Sequence, residues 1–436
     1  MSKFKRYERY KDSGVEWLGE IPEHWEVKKI KYLANVINVK ASDSDNNKTY
    51  IGLENIESKT GKLLVDDIDE QQVIEGTSNV FEKNDVLFSK LRPYLAKCLI
   101  ADFSGRCTSE LLVLRCKGIL PKYMFFFMLS PKFIDVVNSS TYGTKMPRAN
   151  WDFIGNLKIP LPSQEEQKSI IEYLSKKCNE IDALIEDKEK LIELLQEKRQ
   201  TIITEAVTKG LNPNVSMKDS GIEWIGEIPE HWKVTKVKYY YDVCLGKMIQ
   251  PNQEDYSDTL EYYLCAINVT WDGIDISNLK EMWFSNEDKK KYSIKSGDLI
   301  VCEGGDVGRA SIWDGRVENC YIQNAVHRVR EKKNSLNKYL YYWLYFLKHA
   351  GYIDLICNKA TIMHYTYEKF LNTILVIPHL GEQQEIINYL DEKIEEINSL
   401  KKEIEQQIQK LKEYRQSLIS EAVTGKIDVR DYVVSN

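Results

Sequence analysis

The sequence predicts an α+β protein with two mixed α/β domains, separated by two long helices that form an antiparallel coiled coil, in a pseudo-twofold internal repeat. Three observations support this prediction: a duplicated sequence, two unbroken heptad segments, and a composition suited to packed cores. The chain has 436 residues, of which 43% are hydrophobic and 11% are aromatic. A chain of this length exceeds one ordinary core, so more than one domain is expected.

The chain contains an internal duplication. The segment KDSGVEWLGEIPEHWEVKKIKY at residues 11–32 recurs as KDSGIEWIGEIPEHWKVTKVKY at residues 218–239, and EKRQTIITEAVT at 197–208 recurs as EYRQSLISEAVT at 413–424. The two copies lie 207 residues apart at the first match, a period far longer than that of a solenoid repeat, so they indicate two domains with the same fold. Because the copies match at their borders and differ in the middle, we expect one scaffold with two different recognition surfaces.

Each repeat ends in a long helix with a heptad pattern. Neither helix contains a proline, and Gly210 and Gly425 follow them at the positions of C-caps. Apolar residues recur every seven positions over about four heptads, which predicts a coiled-coil seam between the two helices, although Lys188 interrupts the first stripe. Two independent helical tails that serve other subunits remain an alternative. The predicted seam contains Leu174, Ile181, Ile192, Leu195, Ile202, Leu390, Ile397, Ile404, Leu411 and Leu418.

These patterns divide the chain into five segments. They are a domain at 1–163, a helix at 164–208, a second domain at 209–380, a second helix at 381–425 and a tail at 426–436. Short apolar runs within the domains predict buried strands at Val86–Phe88, Leu111–Leu114 and Leu299–Val301, and buried helices at Lys122–Leu129 and Lys338–Leu347. We expect the aromatic stripe of the last helix to be core rather than a platform for stacking bases.

The formal net charge of −6 does not exclude a nucleic-acid ligand, because the charge is unevenly distributed. Residues 1–163 carry +3 and residues 209–380 carry −1, whereas the two helical segments carry −4 each when the tail is counted with the second. The apolar runs are too short to span a bilayer, which requires roughly 20 residues. The N-terminus is polar and no C-x-x-C pair is present, so we expect a cytoplasmic protein with reduced thiols and no membrane partner.

The sequence holds no recognisable catalytic motif. Each Gly-Lys pair lacks the Ser or Thr that completes a P-loop, no Pro-Pro pair is present, and the six histidines form no H-x-x-x-H. We interpret Glu303–Gly308 (EGGDVG) as a turn whose backbone lies close to another molecule such as DNA. His24 and His231 are better explained as turn residues packed against Trp25 and Trp232. We therefore expect a non-catalytic chain with no metal and no cofactor of its own.

Basic and amide side chains in the divergent interiors are the candidates for DNA contact. Arg, Asn and Gln read base edges, whereas Lys mostly neutralises phosphate. Aligning the strands that end at Arg115 and Arg330 places Ser109 opposite Asn324, so equivalent positions carry different chemistry. Any one candidate could instead contact phosphate or only solvent. The candidates are Lys90, Arg92, Tyr94, Lys97, Ser109, Lys145 and Arg148 in the first repeat, and Arg309, Gln323, Asn324, Arg328 and His364 in the second.

The chain resembles the specificity subunits of type I restriction-modification systems. The resemblance rests on the repeated GEIPEHW, on NDVLFSKLRPYL at 84–95, on IPLPSQEEQKSII at 159–171 and on the EAVT that ends both helices. It covers essentially the whole chain, and the order domain–helix–domain–helix is itself specific to that family.

The resemblance implies that 1–163 and 209–380 are two target recognition domains held apart by the coiled coil. It also implies double-stranded DNA as the ligand, with two methyltransferase subunits and the restriction endonuclease/translocase subunits as partners. S-adenosylmethionine, ATP and magnesium would be held by those partners, and the unlike interiors predict an asymmetric bipartite site. We assign the acidic helices and the segments Trp17–Trp25 and Trp224–Trp232 to the methyltransferase interface. A specificity subunit of another restriction type and a coiled-coil adaptor that does not bind DNA remain alternatives.

Overall fold

The computed structural model describes residues 5–42, 45, 47–64, 78–143, 145–332, 334–357 and 363–432. It forms two compact units: unit 1 contains Met1–Glu189 with Ile404–Asn436, and unit 2 contains Lys190–Glu403. Each unit consists of an α/β head and parts of two long helices. We call residues 5–163 head 1 and residues 210–379 head 2. Among the described residues, no helix is both long and apolar enough to cross a membrane.

Head 1 is built from short strands and short helices. Proline occupies the first position of the second and third helices, where a missing N–H costs nothing. The strands are β1 Tyr10–Asp12, β2 Glu20–Pro22, β3 Glu26–Lys29, β4 Ala34–Ile37, β5 Tyr50–Ile51, β6 Ser78–Phe81, β7 Val86–Ser89, β8 Cys98–Ile100, β9 Gly105–Thr108, β10 Leu111–Cys116 and β11 Lys158–Leu161. The helices are α1 Ile30–Leu33, α2 Pro121–Met128, α3 Pro131–Ser139 and α4 Trp151–Asn156, and the first long helix, α5 Gln164–Lys209, follows.

Head 2 repeats this order of elements with insertions. Its strands are β12 Met217–Asp219, β13 Glu227–Pro229, β14 Lys233–Lys236, β15 Tyr241–Leu245, β16 Thr259–Leu264, β17 Val269–Thr270, β18 Gly273–Ile274, β19 Lys280–Phe284, β20 Leu299–Cys302, β21 Ala310–Ile312, β22 Tyr321–Ile322, β23 Val326–Glu331 and β24 Ile374–Ile377. Its helices are α6 Val237–Tyr240, α7 Asn286–Tyr292, α8 Asn337–His349, α9 Tyr352–Cys357 and α10 Tyr367–Leu371, and the second long helix, α11 Leu380–Val423, follows.

The main sheet has the same topology in both heads, which confirms the duplication. Its strand order is β4-β10-β7-β8 in head 1 and β15-β23-β20-β21 in head 2, with every neighbouring pair antiparallel. A buried helix packs on each sheet, α2 against β7 and β8 and α8 against β20 and β21. In α8, Tyr339 and Trp343 are fully buried, as expected for core aromatics. Their polar atoms donate to the carbonyls of Val376 and Ile374 at 2.9 and 2.7 Å.

The smaller sheet differs between the heads. Both heads contain a parallel pair, β5–β9 in head 1 and β16–β22 in head 2. Head 1 adds β6 to the side of β9, whereas head 2 adds β19 to the side of β16. The heads therefore share a framework and diverge in one defined part, in agreement with the uneven conservation between the two copies of the sequence.

An ion pair between a buried aspartate and a partly exposed arginine recurs at the same place in both main sheets. Arg115 holds Asp85 with two hydrogen bonds of 2.9 Å, and Arg330 holds Asp298 with two of 2.8 Å. Both aspartates are at most 2% exposed, so each carboxylate depends on its arginine. Two-point pairing of this kind is strong and directional, and losing one partner of a buried pair costs about 3–5 kcal/mol.

The long helices begin and end within two residues of the predicted bounds. In unit 1 the contacts Asp182–Arg415 (3.0 Å) and Lys188–Gln407 (2.6 Å) show that residue numbers rise along one helix as they fall along the other, so the predicted antiparallel pairing is confirmed there. In unit 2, the cluster that includes Ile203 and Leu390 joins the other halves of the helices. The ten predicted seam residues are all buried or half-buried. The interrupting Lys188 is satisfied by the Gln407 amide oxygen.

Gly425 ends α11 as the predicted C-cap. Its φ is +69°, and the Lys426 and Gly425 amides donate to the carbonyls of Glu421 (2.8 Å) and Ala422 (3.3 Å), the bonding pattern of a Schellman motif. A Cβ at this position would lie 2.4 Å from Pro22, so the helix end packs directly on head 1. Gly210 stands in the equivalent place in unit 2, where its Cβ would lie 3.2 Å from Trp232.

Candidate nucleic-acid interface

Three loops of head 1 converge beside the end of β7. The Ala149 amide donates to the Lys90 carbonyl at 2.9 Å, and the Lys90 amide donates to the Glu110 carbonyl at 3.1 Å. Arg92, with φ +49°, donates its amide to the Pro147 carbonyl at 2.8 Å. The structure therefore brings most of the predicted contact residues of the first repeat onto one surface.

Side chains on this surface of head 1 differ in what they contact. Arg148 is held by Glu110 through two hydrogen bonds of 3.0 and 3.2 Å, and Lys97 donates to the Leu53 carbonyl at 2.6 Å. Arg92, Tyr94 and Lys145 are exposed, Tyr94 by 47%. Lys90 and Ser109 are half-buried between the loops. The exposed groups are thus two cations and one aromatic hydroxyl.

Head 2 repeats the backbone frame of this surface. The Glu303 amide donates to the Ala325 carbonyl at 2.8 Å, and the Tyr365 amide donates to the Glu303 carbonyl at 2.7 Å. These two bonds correspond to those that Lys90 makes in head 1, because both residues directly follow the equivalent strands β7 and β20.

The side chains on the two frames are different. Lys90 corresponds to Glu303, Glu110 corresponds to Ala325, and Arg148 corresponds to His364. In head 1 the arginine is held by the glutamate, whereas in head 2 His364 Nδ1 lies 3.0 Å from a Glu303 carboxylate oxygen. On the same frame, head 1 therefore presents an arginine–carboxylate pair beside Lys90, whereas head 2 presents an imidazole–carboxylate pair. The sequence did not reveal these pairs, because their members lie 38 and 61 residues apart.

The amides Gln323 and Asn324 lie beside the frame of head 2. The Gln323 side chain is buried, donates to the Asn324 amide oxygen and accepts from the Ala325 amide at 3.1 Å. Asn324 is half-buried, and its backbone N–H donates to the Lys247 carbonyl at 2.8 Å. The Gln323 side chain thus stabilises the turn, and the Asn324 side-chain amide is the more accessible of the two.

Arg328 is not available for contact with DNA, and its prediction as a contact residue is wrong. It is 6% exposed and donates to the carbonyls of Lys291 (2.8 Å) and Ser293 (2.7 Å). Burial lowers the pKa of Arg328. The alternation of the strand should have indicated this, since Arg328 and Arg330 point to the same face and Arg330 holds the buried Asp298.

One glycine of the glycine-rich turn of head 2, Gly308, is explained by internal packing rather than by an approaching molecule. Gly308 has φ +80°, and a Cβ there would lie 2.6 Å from Ile353 of the same head. Arg309, which follows, donates to the Ala266 carbonyl at 3.0 Å and lies 3.6 Å from Asp306. The Arg309 side chain is 26% exposed, so it reaches the surface but is already engaged by these two partners.

The repeated Pro-Glu-His-Trp segments join each head to the start of its long helix. His24 Nε2 lies 2.8 Å from Glu166, which also accepts from Trp25 Nε1 at 3.2 Å; His231 lies 2.8 Å from Glu382. Burial alone would raise the pKa of Glu166, but the hydrogen bonds from His24 and Trp25 outweigh it and lower that pKa. These histidines therefore position a helix start, a role that the sequence analysis missed.

The two repeated tryptophans of these segments are core residues. Trp25 is 1% exposed and Trp232 is 0% exposed, so these two side chains are not available for the predicted protein interface, and the assignment of the segments to it stays a prediction. The other two tryptophans of the segments do reach the surface, since Trp17 is half-buried and Trp224 is 40% exposed. Among the described residues, no group of three or more His, Cys, Asp or Glu side chains is arranged to hold a metal ion.

Two heads that share a backbone frame but present unlike side chains define a two-headed recognition protein. The model of the type I restriction modification DNA specificity domain matches residues 22–194 and 229–410. The chain belongs to this family, and its heads are the two target recognition domains of a type I specificity subunit.

Curated relatives and solved structures agree with this assignment. The chain is 28% identical over 340 residues to the type I restriction enzyme MjaVIII specificity subunit of Methanocaldococcus jannaschii, covering 75% of each chain, and 25% identical to the putative MjaX specificity subunit of the same organism, covering 98% of each. In fold it is similar to a chain from a structure described as the structural basis underlying complex assembly and conformational transition of the type I R-M system, with a TM-score of 0.71, 17% identity and coverage of 92% and 98%. The HsdS subunit from Thermoanaerobacter tengcongensis gives a TM-score of 0.50 at 17% identity, with coverage of 93% and 98%.

Proposed function

We propose that this specificity subunit recognises an asymmetric bipartite DNA site, with one head on each half-site and an unread spacer between them. The observation that carries the proposal is the common backbone frame with different side chains in the two heads. A shared frame would place both heads on DNA in the same way, and the unlike side chains would select different bases. Methylation and cleavage would then belong to partner subunits.

The exposed groups suit DNA contact in different ways. Arg92 and Lys145 in head 1 are placed to contact phosphate or a guanine edge, and Tyr94 adds a hydroxyl. In head 2, Asn324 offers an amide of the kind that pairs with adenine, and His364 offers a ring nitrogen beside Glu303. Head 2 should therefore gain less of its affinity from phosphate charge than head 1, and more from hydrogen bonds.

We further propose that the long helices bind two methyltransferase subunits, and that the restriction endonuclease/translocase subunits join this complex in the cytoplasm. The helical segments are acidic, which makes them poor DNA ligands. Within unit 2, α5 leaves Leu191 (44%) and Leu194 (51%) exposed, and α11 leaves Leu400 (49%) exposed, which are apolar groups suited to a protein partner. S-adenosylmethionine, ATP and magnesium would be bound by these partners.

The test is a segment exchange followed by methylation profiling. Residues 240–370 are replaced by the corresponding segment of a relative, and methylated adenines are mapped by single-molecule sequencing in cells that also express the methyltransferase subunit. We expect the half-site read by head 2 to change and the other half-site to stay the same. A change in both half-sites, or in neither, would contradict the assignment of one head to each half-site.

A single substitution sharpens this test. Glu303→Lys gives head 2 the residue that head 1 has at the same position of the frame, and we expect it to alter the preferred bases of one half-site only. The matched control is Glu318→Lys, which makes the same charge change at an exposed position elsewhere in head 2. If both variants raise affinity without changing the motif, the effect is a general one of charge, and Glu303 is not at the reading surface.

A further inference from the structure

Both long helices carry an arginine in the apolar seam. Arg199 and Arg415 occupy the intervening seam position, four residues after Leu195 and Leu411. An apolar residue is expected there, yet the side chains are only 13% and 6% exposed. The two arginines are also equivalent in the duplication, because both lie in the repeated segment that ends in EAVT.

In unit 1, Arg415 holds a turn of head 1 against the helices. Its two terminal nitrogens donate to the carbonyls of Lys59 (3.0 Å) and Thr60 (3.3 Å), and its Nε lies 3.0 Å from Asp182 on α5. The neighbouring Gln416 also donates to the Lys59 carbonyl, at 2.9 Å. The guanidinium of Arg415, which belongs to α11, thus contacts both head 1 and α5.

In unit 2, Arg199 contacts the equivalent turn of head 2. It donates to Asp272 at 3.0 Å and lies 5.2 Å from the centre of the Tyr345 ring. The turns are equivalent because each follows an asparagine that accepts from a backbone amide three residues earlier, Asn55 at 2.7 Å and Asn268 at 3.0 Å. The same device therefore occurs twice, with different acceptors.

We propose that Arg199 and Arg415 are positioning residues that hold each head at one angle on the coiled coil, and so restrict the spacer length that the subunit accepts; this rests on the function proposed above. Replacing a whole buried ion pair by apolar residues of similar volume is often neutral or stabilising, so stability alone does not explain a charged pair in the seam. A planar guanidinium bound from several sides permits one orientation, which an apolar contact does not require.

The experiment measures spacer tolerance. The methyltransferase complex is assembled with wild-type subunit, Arg415→Met, Arg199→Met or Arg415→Lys, and is presented with a DNA library in which both half-sites are constant and the spacer length varies. Methionine fills the seam without holding the turn, and lysine keeps the charge but lacks the fork of donors. The matched control is Lys412→Met, because Lys412 lies 3.7 Å from Glu189 with both side chains more than half exposed. Thermal melting of each variant is recorded in parallel.

We expect both methionine variants to fold, with Arg199→Met melting like the wild type because Asp272 is 68% exposed, and Arg415→Met melting at a lower temperature because it leaves the Asp182 carboxylate, which is only 13% exposed, without its arginine. Both should methylate spacers one base pair shorter or longer at least tenfold more than the wild type does. Arg415→Lys should be intermediate, and Lys412→Met should match the wild type. An unchanged spacer profile in the folded methionine variants overturns the proposal, as does an equal loss of methylation at every spacer. If Arg415→Met unfolds and Arg415→Lys restores both folding and a wild-type profile, the arginine only stabilises, which also overturns it. Failure of the wild-type complex to select any spaced pair of half-sites would instead refute the proposed function.

Discussion

Buried His327 predicts that head 2 loses stability in mild acid. The ring is 0% exposed, its Nε2 lies 2.7 Å from the Tyr365 carbonyl, and it stacks on Phe370 at a centroid distance of 5.4 Å. Nδ1 is buried and has no hydrogen-bond partner among the described residues. Burial outweighs the Tyr365 hydrogen bond and lowers the pKa of His327 below its ordinary value of 6.5. In mild acid the His327 ring therefore binds a proton in the unfolded chain but not in the folded state.

The sign and size of the effect follow from proton linkage. The stability is complete above pH 6.5, and it is lost as the pH falls from there toward the lowered pKa of the folded state. If the ring stays neutral throughout, the free energy of unfolding falls by about 1.4 kcal/mol between about pH 7.5 and about pH 5.5. His327→Leu removes this dependence, and leucine is the residue that head 1 has at the same strand position, Leu112.

The assay is native-state hydrogen exchange on peptides that cover Val326–Glu331, with wild type and His327→Leu compared at each pH. The variant should be less stable than the wild type at neutral pH, because the Tyr365 carbonyl loses its donor, at a cost of about 1–3 kcal/mol. The difference between the two proteins should then shrink by about 1.4 kcal/mol at about pH 5.5. A difference that stays constant with pH would refute the reasoning, since the other histidines are common to both proteins.

Three further predictions concern the ion pairs, the helices and the exposed cations. Asp298→Ala should lower the free energy of unfolding of head 2 by about 3–5 kcal/mol because it strands the Arg330 guanidinium, and Asp298→Ala with Arg330→Met should recover most of the loss in urea titrations. Inserting seven residues after Glu189 in α5 and after Glu403 in α11 adds about 10.5 Å while preserving the seam, so methylation profiling should find a spacer about three base pairs longer; an unchanged spacer would contradict this. Arg92→Ala should weaken DNA binding by the assembled complex about tenfold and reduce its salt dependence, and an unaltered binding isotherm would remove Arg92 from the interface.

Features with a local or periodic signal could be predicted from the sequence. The heptads located the seam, and Gly210 and Gly425 located the helix ends, because a C-cap needs a positive φ that glycine adopts freely. The duplication was visible in the repeated segments at the borders of the heads. The strand alignment that paired Ser109 with Asn324 also holds, since β10 and β23 occupy the same place in the two main sheets.

Features made by tertiary packing could not be predicted. A lone arginine in a sequence looks the same whether it is exposed like Arg92, paired like Arg148 or buried like Arg328, and the decisive partners lie far away along the chain. The different edges to which β6 and β19 are added are likewise invisible in the sequence, because the residues of a short strand do not identify the strand with which it pairs. The seam arginines were missed because a heptad analysis counts apolar residues, whereas Arg415 is notable for the turn it contacts.

The lysine–amide contact between Lys188 and Gln407 limits how the helices can misalign during folding. An uninterrupted apolar seam would tolerate a slip of one heptad with little penalty. Such a slip would bring the Lys188 ammonium opposite Leu400 or Tyr414, and its hydrogen bond to the Gln407 amide oxygen would be lost. Lys188, together with the seam residues Arg199 and Arg415, therefore favours the observed register over a slipped one.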